Sequence, residues 1–293
     1  MAYLTPWNVL AAVGSLAPML LFGFAGERLS GALSRVQQSV RIVLPAGLVV
    51  PYLLVSWPRH QVSLAWFLLY LFLPIAVAAL LALAAKLDPQ QSGHILDFLV
   101  LFSLGLAVDL RWFEPAWPHA LVALNKIILL DAGIYGFHVI RRLDGIGFDL
   151  RLRIADWKTG LRELFFYMPI AIALGLAIGF LHWHGHVSHP WQLPALWLFT
   201  FFLIALPEEI FFRGWMQNLL ERRMGRMPAL TATAVLFGLS HFNKRAIHFN
   251  WRYVLLASIA GVFYGRAWRA DRRVAASSIT HAGVDTIWGA LLR

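Results

Sequence analysis

The chain contains no cysteine among its 293 residues. This absence excludes disulfide bridges, thiolate metal sites and thiol nucleophiles. Charged residues are also scarce, since they make up 14% of the sequence against 59% for hydrophobic residues. Ordinary soluble domains are about 25% charged. The composition therefore predicts a membrane protein with several membrane-spanning segments.

Several common functional motifs are missing from the sequence. There is no Walker phosphate loop, dinucleotide fingerprint, His-Glu-x-x-His pair or Gly-x-Ser-x-Gly nucleophile elbow. Phosphate, nicotinamide and the common hydrolase chemistries therefore lack support. The net charge of +10 does not indicate a nucleic-acid partner, because the basic residues occupy short loops and form no basic-aromatic face.

Long apolar runs, in contrast, recur along the whole chain. A helix needs roughly 20 apolar residues to cross a hydrocarbon core, and these runs do not alternate as barrel strands would. The sequence predicts an all-α, polytopic transmembrane helical bundle of about 8–10 membrane helices. The candidate segments are 7–24, 40–57, 62–85, 95–110, 118–140, 163–183, 191–212, 228–242, 253–268 and 274–292.

The positions of the basic residues predict the orientation of this bundle. With the amino terminus outside, the inside loops carry 18 of the 25 Lys and Arg residues, as the positive-inside rule requires. We therefore expect a multi-pass protein of the cell (inner) membrane. No basic stretch precedes the first apolar run, so we expect that run to be retained rather than cleaved as a signal peptide. The inside loops are 25–41, 86–94, 141–162, 213–227 and 266–273.

Three charges interrupt an apolar run at residues 207–213. An uncompensated charge within a bilayer costs about 2.5 kcal/mol or more, so these charges need a function or a partner. Glu209 and Arg213 are four residues apart, share a helix face and are predicted to pair. Glu208 points about 100° away from that face. It is the carboxylate left for other chemistry.

Two further polar pairs follow in the last third of the chain. Phe237 and His241 form one pair, and His281 and Asp285 form the other. In each pair the residues are four apart and share one helix face.

A turn near Gly225 would bring the first two clusters to the same level. Glu208 is 17 residues before Gly225 and His241 is 16 after it, so in an antiparallel hairpin their heights differ by on the order of 2 Å. Both side chains can then address one water molecule. Small residues in segment 253–268 permit close helix packing, but the spacing does not show how His281 joins the other two clusters.

A carboxylate, two imidazoles and a second acid in an apolar interior suggest hydrolysis. A carboxylate beside an imidazole can act as a general base on water, and donors aimed at the carbonyl oxygen stabilise the oxyanion that follows. The alternative is that these groups only hold helices together. That alternative explains one histidine well, but it explains three clusters within 80 residues of apolar chain poorly.

The ordered motifs Glu-Glu-x-x-x-Arg, Phe-x-x-x-His and His-x-x-x-Asp resemble the CPBP family of intramembrane proteases. This family includes CAAX proteases and bacteriocin-processing enzymes and is also called the Abi family. The resemblance covers about residues 195–293. It implies that Glu208 is the catalytic base assisted by His241, and that His281 and Asp285 support the oxyanion. It implies structural support from three further residues, Glu209, Arg213 and Phe237.

One position departs from the family pattern. The prenyl-protein proteases have Asn where this chain has Asp285, and an aspartate donates a hydrogen bond only when it is protonated. Asp285 can instead orient His281 or bind a metal. We expect no cofactor, but the sequence does not exclude a divalent metal.

These observations give one leading hypothesis and two alternatives. The leading one is a glutamic-type intramembrane endopeptidase, with its core in residues 161–293 and membrane helices of unassigned role in residues 1–160. Its partners would be the lipid bilayer and a membrane-anchored protein or peptide, reached from the cytoplasmic side or laterally. The alternatives are a metal-dependent membrane protease and a non-catalytic bacteriocin-immunity or scaffold protein.

Two other polar groups have simpler explanations. Lys126 and Asp131 lie inside one predicted span, and Asp97 and Asp109 lie inside another. One interpretation is an ion or substrate path, but the favoured one is an internal Lys–Asp pair that fixes helix packing. The histidines of segment 182–189 do not have the spacing of a helical or fingered metal site, so we expect no specific metal there.

Overall fold

A computed structural model describes residues 5–183, 189–244 and 248–292. Within these ranges the chain forms helices and turns and contains no β-strand, which confirms the predicted all-α class. The chain divides into two compact units, Met1–Asp144 (unit 1) and Gly145–Arg293 (unit 2). The central part of the histidine segment, at 184–188, lies outside the described residues, so the expectation for it stays a prediction.

Unit 1 is built from five helical segments. Its interior contains the buried Arg141, which forms ion pairs with Asp97 at 2.8 Å and Asp88 at 2.7 Å. The predicted pair of Lys126 with an aspartate is wrong, because the Lys126 ammonium lies 3.6 Å from Glu114. The segments are α1 (Pro6–Leu33), α2 (Gln38–Arg59), α3 (Leu64–Leu87), α4 (Ile95–Asp109) and α5 (His119–Ile140).

Unit 2 contains the other five helical segments. The turn between its second and third segments is at Gly225, whose φ of 80° is a conformation that glycine adopts without steric cost. The predicted hairpin turn is therefore present. The segments are α6 (Ile154–Ala177), α7 (Pro190–Met224), α8 (Arg226–Leu239), α9 (Trp251–Asp271) and α10 (Val274–Leu291).

Each of the ten apolar runs corresponds to one of these segments. Six of them, α1, α2, α3, α5, α6 and α7, are long and apolar enough to cross a membrane. The other four are shorter or more polar: α4 and α8 have 15 and 14 residues, and α9 and α10 contain many polar side chains. The chain is thus an all-α, polytopic membrane protein.

Close packing of α8 against α9 brings the site residues of unit 2 together. A Cβ added to Gly238 would lie 1.9 Å from the Ser258 hydroxyl oxygen, and one added to Gly261 would lie 2.9 Å from the Ala234 Cα. Only glycine fits at such positions, which agrees with the use of small residues at membrane helix contacts.

The start of α10 is fixed by the first turn of α6 and by the segment that precedes it. Arg273 binds the carboxylates of Asp156 at 2.6 Å and Asp149 at 3.1 Å, and the Val274 amide donates to the Gly147 carbonyl. These contacts hold α10 against α6 within unit 2. The predicted division at residue 160 separated a candidate protease core from helices of unassigned role. The two units are defined by compactness instead, so that division stays a prediction.

Candidate active site

Helix α7 is not a regular α-helix where it carries the two glutamates. Residues Phe201–Ala205 and Ile210–Gln217 form π-helical turns on either side of the α-turn Leu206–Glu209. The spacing argument for Glu209 and Arg213 assumed α-helical periodicity here. Pro207 supplies one physical reason, because a proline ring clashes with the carbonyl four residues earlier and a wider turn relieves that clash. Such π-turns within helices are frequent at functional sites.

The predicted Glu209–Arg213 pair is present and fully buried. Arg213 Nε lies 3.0 Å from Glu209 Oε2, and neither side chain has any exposed surface. The two atoms form an ion pair without the alignment of a hydrogen bond. The guanidinium also lies 5.1 Å from the centre of the Phe237 ring and 5.8 Å from that of Tyr264. Aromatic faces therefore complete the environment of this buried cation.

His281 lies at the centre of the site, because it contacts all the other helices that contribute to it. Its Nδ1 is 2.9 Å from Oε1 of Glu209. An ionised carboxylate only accepts hydrogen bonds, so Nδ1 is the donor. The His281 ring also stacks on Tyr264, with centroids 4.5 Å apart and planes at 15°. Helices α7 and α9 thus fix both the position and the plane of this imidazole.

His241 lies in the turn directly after α8. Its Nδ1 is 2.8 Å from the Phe237 carbonyl, and a carbonyl only accepts, so Nδ1 carries the hydrogen in this contact. In the neutral ring Nε2 is then the nitrogen that can accept a proton. The Phe237 ring lies between the two histidines, 5.0 Å from His241 and 5.5 Å from His281 between centroids.

Glu208 faces the site rather than the Glu209–Arg213 pair. Its Oε2 is 3.9 Å from His281 Nε2, and Asp285 Oδ2 is 3.7 Å from the same nitrogen. These distances are too long for direct hydrogen bonds, but a water molecule beside the three groups can hydrogen-bond to each of them. Glu208 and His281 also interact electrostatically with His241. All four sequence-predicted catalytic residues are therefore in one place.

A cavity of about 60 Å³ adjoins three of these four groups. Water needs roughly 10–15 Å³ of such volume, so the cavity has room for several water molecules. His241, His281 and Asp285 contribute polar atoms, and the rest of its wall is mostly aromatic and aliphatic. Phe180, just after α6, and Trp288, near the end of α10, also line it. The cavity is therefore displaced towards the end of unit 2 that is opposite the Gly225 turn.

Sequence reasoning missed two residues of this site. The Lys244 ammonium lies 3.7 Å from Glu208 Oε1, although the spacing of residues in α7 had left Glu208 without a charged partner. Tyr264, which stacks on His281, had been counted only as part of an apolar helix. The sequence did contain a signal for Lys244, because a lysine three residues after His241 lies close to that histidine and hence to the site. Nothing in the sequence around Tyr264 indicated its contact.

Within the described ranges, no group of three or more His, Asp or Glu side chains has an arrangement that would hold a metal ion. Glu208, His281 and Asp285 come nearest in chemical type, since imidazole and carboxylate groups bind first-row metals.

Comparison with known proteins gives a match to one family model in the last third of the chain. Residues 190–287 match the family model described as Rce1-like, type II CAAX prenyl endopeptidase Rce1-like. The match supports assignment to the CAAX protease (CPBP) family, as the motifs predicted. It includes the four candidate catalytic residues and also Glu209, Arg213, Phe237, Lys244 and Tyr264. No curated protein and no solved structure gives a significant match to the chain.

Proposed function

We propose that this protein is a glutamic-type intramembrane endopeptidase. Glu208 and His241 activate a water molecule, and His281 and Asp285 support the oxyanion. The observation that carries the proposal is the convergence of Glu208 Oε2 and Asp285 Oδ2 on His281 Nε2, at 3.9 and 3.7 Å. The match to a CAAX endopeptidase family model makes a peptide bond the most suitable target for that water.

The proposed reaction needs only groups of this chain and water. Glu208 takes a proton from the water while His241 Nε2 accepts a hydrogen bond from it. The water oxygen bonds to the carbonyl carbon of the substrate, and the electron pair of the C=O bond moves to its oxygen. When this intermediate collapses, the C–N bond breaks and the proton held by Glu208 passes to the amine. The products are a carboxylic acid and an amine.

The oxyanion needs donors within hydrogen-bond distance of the substrate carbonyl oxygen. His281 Nε2 donates when the ring carries both protons, and Asp285 donates when its carboxyl group is protonated. Such donors contribute several kcal/mol when they are held in place before the reaction. The hydrogen bond to Glu209 and the stack on Tyr264 supply that fixed position for His281.

The substrate class follows from the membrane setting. We propose a membrane-anchored protein or peptide, cut near its anchored end in the cell (inner) membrane. The predicted access from the cytoplasm and the predicted orientation are in conflict. The cavity lies away from the arginine-rich turns at 222–226 and 266–273. The positive-inside rule puts those turns in the cytoplasm. Lateral entry from the bilayer, the other predicted route, agrees with the predicted orientation and with the position of the cavity.

The test compares carboxyl termini of membrane proteins from cells that carry either the wild-type protein or Glu208→Gln. Loss of the base is expected to lower cleavage at least about 100-fold, so an uncut precursor accumulates. His241→Ala is expected to accumulate the same precursor. Glu27→Gln, the same chemical change at an exposed residue of α1, serves as the control. Unchanged termini with both site variants would indicate a non-catalytic scaffold or immunity protein.

A metal-dependent protease is the second candidate function. In this mechanism Glu208, His281 and Asp285 would bind the metal, because imidazole and carboxylate groups suit a divalent metal. Purified protein that keeps full activity in a strong chelator and contains no stoichiometric metal would exclude this mechanism. Activity lost with the chelator and restored by one metal would replace the glutamic mechanism.

A further inference from the structure

A second cavity of unit 2 is separate from the candidate active site. It has a volume of about 480 Å³ and lies beside the Gly225 turn, between α6, α7, α8 and α9. We call it the arginine cavity, because five guanidinium groups line it. They belong to Arg162, Arg226, Arg266, Arg269 and Arg272.

Two buried glutamates hold four of these arginines in place. Glu163 lies 2.9 Å from Arg162 and 3.0 Å from Arg266. Glu221 similarly binds two more, Arg269 at 3.4 Å and Arg272 at 2.6 Å. Each guanidinium has five N–H donors. Arg272 uses one more on Asn218 Oδ1 and Arg269 one more on Met227 Sδ, and all four groups still have donors beyond these contacts.

Arg226 gives the cavity a fifth positive charge. Among the residues that the structure describes, no carboxylate lies within ion-pair distance of Arg226. The lining thus has five positive and two negative side chains. Guanidinium groups in such an array bind phosphate through paired N–H donors, so the charge of the cavity suits an anionic ligand.

The remaining wall of the arginine cavity is apolar. Met227, Leu230 and Val262 line it, and Met227 is 64% exposed. A soluble anion gains nothing from such a wall, whereas the acyl chains of a lipid do. The neighbouring turns carry the basic residues that mark a membrane surface. Charge and apolar surface therefore meet where a phospholipid places its phosphate and its chains.

We propose that the arginine cavity binds the phosphate headgroup of an anionic phospholipid from the adjacent leaflet. Its volume falls within the range of about 300–1,000 Å³ that is typical of ligand sites. Basic pockets between membrane helices on the cytoplasmic side bind anionic lipid headgroups in general. This proposal is independent of proteolysis, because binding is measured without a substrate.

The test is native mass spectrometry of the full-length protein with added dioleoyl phosphatidylglycerol or dioleoyl phosphatidylcholine. We expect saturable binding of phosphatidylglycerol that is at least about tenfold tighter than that of phosphatidylcholine. Arg226→Glu removes one positive charge and adds a negative one without breaking an ion pair. At about fivefold per unit of charge, it should weaken phosphatidylglycerol binding about 25-fold.

Lys158→Glu is the matched control. Lys158 is exposed on α6, one turn before Arg162, and does not line the cavity. It makes the same change of charge near the same end of unit 2, so it should alter phosphatidylglycerol binding by less than about threefold. Arg266→Gln is a second site variant, in which Glu163 keeps its contact with Arg162; it should weaken binding about fivefold.

Three results would overturn the proposal. One is equal binding of the two lipids. Another is an equal loss of phosphatidylglycerol binding in Arg226→Glu and Lys158→Glu, which would indicate diffuse surface charge. The third is displacement of phosphatidylglycerol by millimolar inorganic phosphate, which would make this a site for soluble anions rather than for lipid.

Discussion

Glu209 on α7 and His281 on α10 are joined by a hydrogen bond of 2.9 Å between Oε1 and Nδ1. The other oxygen of Glu209 lies 3.0 Å from Arg213 Nε. One carboxylate thus balances a buried cation and orients an imidazole of the candidate site. The pairing rule for helices predicted the first of these functions. The second links residues that are 72 positions apart.

The first prediction concerns the stability that this carboxylate provides. Glu209→Gln leaves the Arg213 cation buried without a counter-charge, which should cost about 3–5 kcal/mol of unfolding free energy. Arg213→Met should have a similar cost, because it leaves Glu209 uncompensated. The double variant Glu209→Gln/Arg213→Met removes both charges, and its cost should be well below the sum of the two. Chemical denaturation in detergent measures all three. Additive losses would mean that the two side chains do not interact.

The second prediction tests the role of Asp285. If this residue supports the oxyanion as a donor, Asp285→Asn should retain at least wild-type activity, because an amide always carries donor hydrogens. Asp285→Ala should lose about 100-fold in kcat, the lower end of the loss that follows removal of an oxyanion donor. Steady-state kinetics on an identified substrate distinguish the two variants. If Asp285→Asn is as inactive as Asp285→Ala, the residue is needed as a carboxylate.

The third prediction concerns the contact between α8 and α9 that positions His241. Gly238→Ala would put a methyl group 1.9 Å from Ser258 Oγ and 2.5 Å from the Val254 carbonyl oxygen. The backbone has to shift, so we expect a loss of about 1–3 kcal/mol together with reduced activity. Gly289→Ala on α10 is the control, because its added Cβ meets no atom within 4 Å. That variant should be as stable as the wild type or more so, since alanine favours helices by about 0.5–1 kcal/mol over glycine. Thermal unfolding compares the two variants, and equal losses would contradict close packing at Gly238.

The fourth prediction uses the absence of cysteine to determine the orientation of unit 2. Met227→Cys and Phe249→Cys each introduce a single thiol at an exposed position, one beside the Gly225 turn and one just before α9. The positive-inside rule predicts that, in intact cells, an impermeant maleimide labels Phe249→Cys and not Met227→Cys. Lysed cells, in which both thiols should react, provide the control. The reverse pattern would place the arginine-rich turns outside.

The fifth prediction concerns acid stability. Burial of the Asp149 carboxyl by itself raises its pKa, but hydrogen bonds from Arg151 and Arg273 outweigh burial and lower the pKa to about 2. A carboxyl group whose pKa is lower in the folded state stabilises that state above its ordinary pKa, and this contribution is lost as the pH falls towards the folded value. The unfolding temperature should therefore decline between about pH 4 and pH 2. The decline should be shallower in Asp149→Asn, which has no carboxyl to titrate. An identical pH profile for both proteins would mean that Asp149 does not contribute.

The sequence by itself determined the class of the protein and the local geometry of its motifs. Composition and run length predicted the helical segments, since each helix in a membrane satisfies its own backbone hydrogen bonds. The spacing of four residues predicted the pairs Glu209–Arg213 and His281–Asp285, because helix periodicity alone brings such residues together. The glycine and the charges near Gly225 predicted the turn that returns α8 alongside α7.

Only the tertiary structure decided which faces of these helices meet. It brought His281 against Glu209 and Tyr264, and Lys244 against Glu208. It also introduced the π-turns around Pro207. Periodicity states which residues share a face, but the neighbour of that face depends on how side chains of distant segments fit together. The four candidate catalytic residues could therefore be read from the chain, whereas the contacts of Lys244 and Tyr264 and the orientation of the central histidine required the packed helices.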